Sequence, residues 1–469
     1  MSTLPAQRYN EPFRPQFHYS APQSWLNDPN GLVYYEGEYH LFYQYHPDGV
    51  IWGPMHWGHA VSTDLIHWET LPIALYPDEH GTIFSGTVVV DADNTSGLVP
   101  GGGLVAIYSY NTQTQGAAFS ADRGRTWTKY DGNPILPALR HDFRDPKVFW
   151  HDGQWIMVMA AGQSIMLLTS PDLLHWEAVS EFQGGFSGAV WEVPDLLPLT
   201  VDGVTKWVLI VSINPGAPAG GGGTRYFIGS FDGRTFTDDY PDQTLWFDWG
   251  ADNYAGTTFN SAPDGRRLFI GWMSNWAYAE RTPTSVWRGA MTIPRELSLV
   301  KTPHGVRLVQ RPVDTLRDLL SPLGAWENIA LDGTCALDAL RGQTLDLELE
   351  VELGDAESVG VDIGSEEDST VRVAYDVQTR RLVFSRPDSG IDRFTSEFYA
   401  PLEPVDGRIK LRLLVDHSSV EVFANDGIVT MTAQVFPADA VAPGRLFAHG
   451  GSAGVAALRV YQVESIWDP

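Results

Sequence analysis

Three carboxylates in the first half of the chain stand where chemistry is possible. Asp28, Asp145 and Glu192 each open a stretch of one design: an acid with a proline, an apolar run, a tight turn, then a second apolar run. The stretches read Asp28-Pro29-Asn30 before GLVYY-EG-EYHLFYQY, Asp145-Pro146 before KVFW-HDG-QWIMVMAA, and Glu192-Val193-Pro194-Asp195 before LLPLTVDGVTKWVLIVSI. If these are equivalent units around one axis, the acids share an opening position and converge on one pocket. Carboxylates gathered there repel each other, which holds one protonated while another stays ionised. A proton donor beside an ionised carboxylate is the equipment of glycosidic bond hydrolysis. Trp25, Trp52, Trp57, Trp191, Trp272 and Trp276 supply faces on which a sugar can stack. Taken singly, an acid at a strand start is a turn or cap residue; repetition carries the joint case.

The elements that must position these acids repeat as well. Ser62-Thr63-Asp64…Trp68, Ser120-Ala121-Asp122…Trp127, Ser170-Pro171-Asp172…Trp176 and Ser230-Phe231-Asp232…Phe236 recur at intervals of 58, 50 and 60 residues. That period is the size of a four-stranded propeller blade with its loops. The Glu-Gly and Asp-Gly pairs between β-rich runs are hairpin signals. About five such periods fit between Asn27 and Arg295, and no amphipathic helix interrupts them. The expected fold is all-β, a five-bladed β-propeller over 1–300; two β-sandwiches with coincidental repeats are the alternative. Residues 301–329 read as a linker, with one short helix over 313–320 (VDTLRDLL). Residues 330–469 read as a β-sandwich of short alternating strands with turns such as Asn425-Asp426-Gly427.

Composition narrows the partners. Asp+Glu 58 against Lys+Arg 31 leaves a net charge of −27, which repels phosphate backbones and anionic headgroups. A neutral small molecule, oligosaccharide or polysaccharide fits better; nucleic acid and membrane are not expected, and the oligomeric state stays open. Cys335 is the only cysteine, which excludes an intrachain disulfide and a thiolate-cluster metal site. The opening MSTLPAQRYNEPFRPQF lacks an apolar h-region, so the chain as written reads as cytoplasmic.

Other signals are set aside. His56 and His59 lie three apart, on opposite faces of a strand, so no shared metal is expected, and no cofactor is implied. Gly220 to Gly223 lacks the Lys-Ser/Thr of a phosphate loop and reads as a mobile rim loop near the pocket. Glu366-Glu367-Asp368 reads as a solvated turn.

Trp25-Leu26-Asn27-Asp28-Pro29-Asn30-Gly31, Phe143-Arg144-Asp145-Pro146 and Trp191-Glu192-Val193-Pro194-Asp195 resemble the three signature motifs of glycoside hydrolase family 32, the β-fructofuranosidases, which include invertases, exo-inulinases and levanases. The resemblance extends to Gln44 in HLFYQYHP, to WGPMHWGHA from Trp52, to Phe84-Ser85-Gly86, and to GWMSNWAYAERTPTSVWRGAMTIPREL from Gly271 to Leu297. SSVEVFANDG and RVYQVESIW are similar to the family's C-terminal module, so nearly the whole chain is covered.

The resemblance implies roles. Asp28 would be the nucleophile on the anomeric C2 of a terminal fructosyl unit, and Glu192 the acid/base. Asp145 would stabilise the transition state beside Arg144, whose charge favours ionised carboxylates. Asn27, Gln44, Trp52, Phe84, Ser85, Arg144 and Trp272 would line the fructosyl pocket, although Trp52, Phe84 and Trp272 read as blade core without the motif. The implied activity is retaining hydrolysis of terminal non-reducing β-D-fructofuranosyl residues through a covalent fructosyl-enzyme. Val193 stands where many sucrose-preferring members carry Cys, which leans towards fructans over sucrose. Fructosyl transfer on the same scaffold, an inverting arabinan-type hydrolase and a non-catalytic sugar-binding propeller are the competing readings. Linkage preference is not legible, because the subsites beyond the fructosyl unit lie on rim loops.

Overall fold

The computed structural model describes residues 9–185, 188–364, 370–387, 395–437 and 443–467; the acidic run Glu366-Glu367-Asp368 lies outside them. Five antiparallel sheets follow in chain order, each running from an inner to an outer strand. Their inner strands are Ser24–Tyr35, Ile83–Asp91, Phe143–His151, Val190–Val201 and Tyr254–Thr258. Each inner strand packs on the next and the fifth meets the first, which closes a five-bladed propeller.

The repeated sequence marks have local causes. The inner hairpins turn at Glu36-Gly37, Asp152-Gly153 and Asp202-Gly203, where both residues of each pair have positive φ, as a two-residue turn matching strand twist requires. The Ser-x-Asp marks follow the third strand. Asp64 Oδ1 accepts the backbone N–H groups of Ile66 and His67, and Asp172 Oδ1 those of Leu174 and His175. In the three marks that close on tryptophan, the aromatic pins the same turn: the indole N–H groups of Trp68, Trp127 and Trp176 donate to the carbonyls of Leu65, Gly124 and Leu173 at 3.1, 3.0 and 2.8 Å.

Two devices close the ring. An insertion over 273–294 leaves the fifth blade and pairs Trp287 and Arg288 in parallel with Ser24 and Trp25 of the first. Asn260, just past the fifth inner strand, donates from Nδ2 to Val88 O at 2.8 Å and Val148 O at 3.1 Å, while its backbone bonds Leu32 and Tyr34. One residue thus ties four blades together.

The linker reading needs correction. Arg295–Thr302 and Gly305–Pro312 pair with each other, and Arg295–Thr302 pairs with Leu268–Trp272, so the fifth blade ends at Pro312. Leu320–Ala336 is already a strand of the second domain. Only the segment between them connects, with a 3₁₀ helix over Asp314–Leu319 that buries Leu316 and Leu319. Aromatic density misplaced the boundary because outer strands are half exposed and need few large apolar side chains.

The second domain is built on a long strand, Arg445–Val463, that serves two layers. Its first part pairs with Ser358–Gly364 and its later part with Leu345–Glu352; Gly450 and Gly451, with φ of 70° and 158°, lie between them. Leu347, Val361, Phe384, Leu413, Val422, Met431 and Val455 pack in its single core, as expected of a β-sandwich.

The domains join through buried polar contacts. Trp249 and Asp252 donate backbone N–H groups to Thr430 and Thr432, so a propeller loop covers the edge strand Val429–Gln434. Arg295 is fully buried between Asp248 at 3.1 Å and Glu421 at 3.2 Å and also donates to Gln310 and Thr432. His18 lies 2.8 Å from Asp416 and 3.5 Å from Glu421; burial opposes its charge, but the two carboxylates outweigh it and hold its pKa at about 9.

Arg295→Ala leaves Asp248 and Glu421 buried without their cation. The expected loss is about 3–5 kcal/mol of stability, read as a lower urea midpoint; a loss under about 1 kcal/mol would show that the network is not what joins the domains.

Candidate active site

Every inner strand carries a β-bulge near its start. Three steps along the inner strand match two on its neighbour at 26–29, 83–86, 144–147, 192–195 and 254–257. The extra residue re-aims its neighbours, and Asp145, Val193 and Ala255 there take positive φ of 65°, 45° and 54°. Five equivalent irregularities at one end of the axis thus turn Asp28, Ser85, Asp145, Glu192 and Tyr254 towards one another.

The acids do not share one position in the repeat. Counted from the last regular pair before each bulge, Glu192 is level with Arg144 and Tyr254, Asp145 is one residue further on, and Asp28 two, level with Ser85. Their common opening is only approximate: proline follows Asp28 and Asp145 directly, yet these two sit one level apart in the bulge.

Each carboxylate is held by donors. Asp28 accepts from Ser85 Oγ at 2.6 Å and Asn27 Nδ2 at 2.9 Å. Glu192 accepts from Arg144 Nη2 at 2.9 Å and, on its other oxygen, from the Tyr254 hydroxyl. Asp145 accepts the Val193 backbone N–H at 3.1 Å, with Arg144 Nε 3.8 Å away. Arg144 is steadied by Asp142 at 2.6 Å.

Burial pushes Asp28 up to about 6 and Asp145 up to about 7. Glu192 repels both, the Ser85 and Asn27 bonds oppose the shift at Asp28, and Arg144 opposes it at Asp145. Burial also raises the Tyr254 phenol well above its ordinary value, with Glu192 adding to it. The mouth thus holds two buried carboxyls, Asp28 and Asp145, poised to exchange protons near neutrality.

The remaining expected residues fall around this group in different ways. Gln44 lies on the second strand opposite the Asn27–Asp28 bulge and donates to Asn30 at 2.8 Å. Trp52 is 43% exposed, with its ring edge-on to Phe84 at 6.2 Å, and Glu280 accepts its backbone N–H. Trp272 is fully buried in a cluster with Trp25 and Trp276, and Trp25 donates its indole N–H to Asn27 Oδ1 at 2.6 Å. The glycine run is pinned: Asn275 Nδ2 donates to Gly220 O at 3.1 Å and Gly222 O at 3.3 Å. A Cβ on Gly222 would come within 2.7 Å of Tyr254. His59 is buried against His40 Nδ1 at 3.1 Å, whereas His56 bonds Pro54 O, so the pair is split as the strand period requires.

Sequence reasoning missed Tyr254 and Asp142. Extending the repeat count to a fifth inner strand would have found Tyr254, but no acid marks that start.

The fold and the cluster define a propeller hydrolase with a carboxyl site at one end of its axis. The chain matches the descriptions "Glycosyl hydrolases family 32 N-terminal domain" over residues 18–312 and "Glycosyl hydrolases family 32 C terminal" over 316–462. It is 47% identical to a levanase of Bacillus subtilis over 98% of this chain and 72% of that protein. It is 38% identical to the extracellular exo-inulinase of Aspergillus ficuum over 99% and 97%. The crystal structure of exo-inulinase from Aspergillus awamori superposes with a TM-score of 0.92 at 36% identity, covering 98% of this chain and all of that one. The chain belongs to glycosyl hydrolase family 32 and is a glycoside hydrolase.

Neutralising a buried acid here should stabilise the protein. The folded Asp145 carboxyl keeps its proton up to about 7, whereas an unfolded one releases it near 3.9, so native stability falls as pH rises through that window. Asp145→Asn is expected to raise stability by about 1–3 kcal/mol at pH near 8 and to change it little near 4, read from thermal melts at both pH values. A lower melting temperature than the parent near pH 8 would contradict the repulsion argument.

Proposed function

We propose that this enzyme is a retaining exo-β-fructosidase that removes terminal β-D-fructofuranosyl units from fructans, fructooligosaccharides or sucrose. Asp28 attacks C2 of the terminal unit while Glu192 protonates the departing glycosidic oxygen, giving a fructosyl-enzyme ester. Glu192 then takes a proton from water, which attacks C2 and releases fructose, with two inversions and net retention. Asp145 and Arg144 hold the fructosyl unit and offset charge at C2, and Asn27 and Ser85 orient the nucleophile.

One observation carries the reading: Asp28 and Glu192 face one mouth, each fixed through both oxygens by separate donors. A carboxylate that only capped a turn would spend its bonds on local backbone. Exo action is supported by the floor of the site. Below Asp145 a gap of about 10 Å³ lies between Gly31, Gly86, Val193 and Lys147, room for no more than about one water, so a polymer cannot thread through the axis. The names of the levanase and exo-inulinase relatives favour a fructan over sucrose.

The test is fructose release from sucrose, 1-kestose, inulin and levan, with the first-released anomer read by NMR. Intact protein should release β-fructofuranose, and Asp28→Asn and Glu192→Gln should each lose at least about a thousandfold in kcat. No fructose from any substrate, with folding unaltered, would sink the reading. The acidic limb of kcat/KM should fall tenfold per pH unit below about 6, because Asp28 must be ionised to attack and burial holds its proton up to that pH. A limb near 4 would remove the nucleophile from that burial.

Tyr254→Phe removes the hydroxyl bond to Glu192 without emptying the site. It should lower kcat about tenfold and move the pH profile while leaving KM for sucrose nearly unchanged; an unaltered profile would make Tyr254 a packing residue.

A further inference from the structure

A second, larger cavity lies on the same axis below the catalytic mouth. It measures about 480 Å³, within the roughly 300–1,000 Å³ of small-molecule sites. On the third inner strand it reaches Phe149, Trp150 and His151, four to six residues beyond Asp145, and on the fourth Leu196 to Pro198, beyond Glu192. At about 3.3 Å per residue this is roughly 13–20 Å from the acids, with the narrow gap between them.

Its walls are aromatic and its base is polar. Trp155 and Trp207 are buried in the wall, and Trp150, 49% exposed, stands edge-on to Trp155 at 5.0 Å. At the base Lys147 and Asp195 are buried as a pair 3.4 Å apart. Lys147 donates to Thr258 O at 2.5 Å, and Asp195 Oδ2 accepts both the backbone N–H and the hydroxyl of Thr258 at 2.6 Å. Asp195 Oδ1 is buried without a hydrogen-bond partner among the described residues. A buried carboxylate oxygen without a donor is costly, and the catalytic reaction gives it no task. Arg267 completes the polar lining and spends Nε and Nη1 on the carbonyls of Pro198, Gly265 and Arg266.

We propose that this lower cavity is a second carbohydrate site that takes a neutral sugar unit of the polymer the enzyme degrades, by stacking on Trp150 and donating a hydroxyl to Asp195 Oδ1. A neutral ligand fits best: Asp195 pairs with Lys147, Arg267 spends its bonds on backbone carbonyls, and the net −27 of the chain repels anions. Aromatic walls with a few convergent polar groups are the composition that grips a sugar ring. A polymer held below raises the effective concentration of its ends at the mouth above. The choice of fructan as that polymer rests on the function proposed above.

Affinity electrophoresis in gels containing levan tests the site. The Asp28→Asn protein, which digests the gel slowly, is run alone and with Trp150→Ala or Thr205→Trp added; Thr205 is exposed at the cavity mouth, so a large side chain there fills it. Both additions should weaken retardation at least threefold. In the otherwise intact enzyme the same two substitutions should leave sucrose kcat/KM within twofold. Retardation equal to that of Asp28→Asn in both cases, or no retardation of any form, overturns the proposal. The two readings fail separately: no fructose from intact enzyme removes the fructosidase assignment, whereas normal levan hydrolysis with unchanged migration of both variants removes only the second site.

Discussion

Gathering Asp28, Asp145 and Glu192 in one partly dehydrated mouth is unfavourable, and much of the structure exists to hold that arrangement. Left alone, three carboxylates at this spacing would take up protons or move apart. Here one guanidinium, Arg144, lies beside two of them, and hydroxyl, amide and backbone donors fix the oxygens. The residual strain appears as the raised proton affinities of Asp28 and Asp145. Such groups stay poised only if the frame cannot relax. The five-sheet ring, the strand pairing at Trp287–Arg288 and the axial bonds of Asn260 remove that freedom.

The ring repeats its backbone and varies its side chains. At the same bulge the five blades present Asn27-Asp28, Phe84-Ser85, Arg144-Asp145, Glu192-Val193 and Tyr254-Ala255. The first and fourth blades bring Asp28 and Glu192, the third brings Arg144 with Asp145, and the second and fifth bring hydroxyl donors. The division is electrostatic: hydroxyls on the second and fifth blades bond carboxylates on the first and fourth without adding charge. Among the described residues, the second domain contributes no side chain to the hydrogen bonds that hold these carboxylates. It grips the propeller through Glu421, which meets Arg295 and His18, and Asp416, which meets His18, while a propeller loop covers its own edge strand Val429–Gln434.

Much of this was legible in the chain. The Ser-x-Asp marks and the Glu-Gly and Asp-Gly turns are local, since their hydrogen bonds join residues two to four apart. They therefore revealed blade size, blade number and the all-β class. The three acids stand out because each lies within two residues of a proline at the head of an apolar run. The boundary near 312 was not legible, because outer strands are half polar and resemble a linker.

The family, the five repeated units and the three acids are legible from neighbours along the chain. It takes the folded ring to place the acids at three different levels of the bulge and to bring Tyr254 onto Glu192. The same holds for the paired burial of Lys147 and Asp195 beneath the site. These facts depend on which residue of one strand lies opposite which residue of another. That register is set by ring closure across as many as 263 positions, as in the Ser24–Trp287 pair, and no local pattern encodes it.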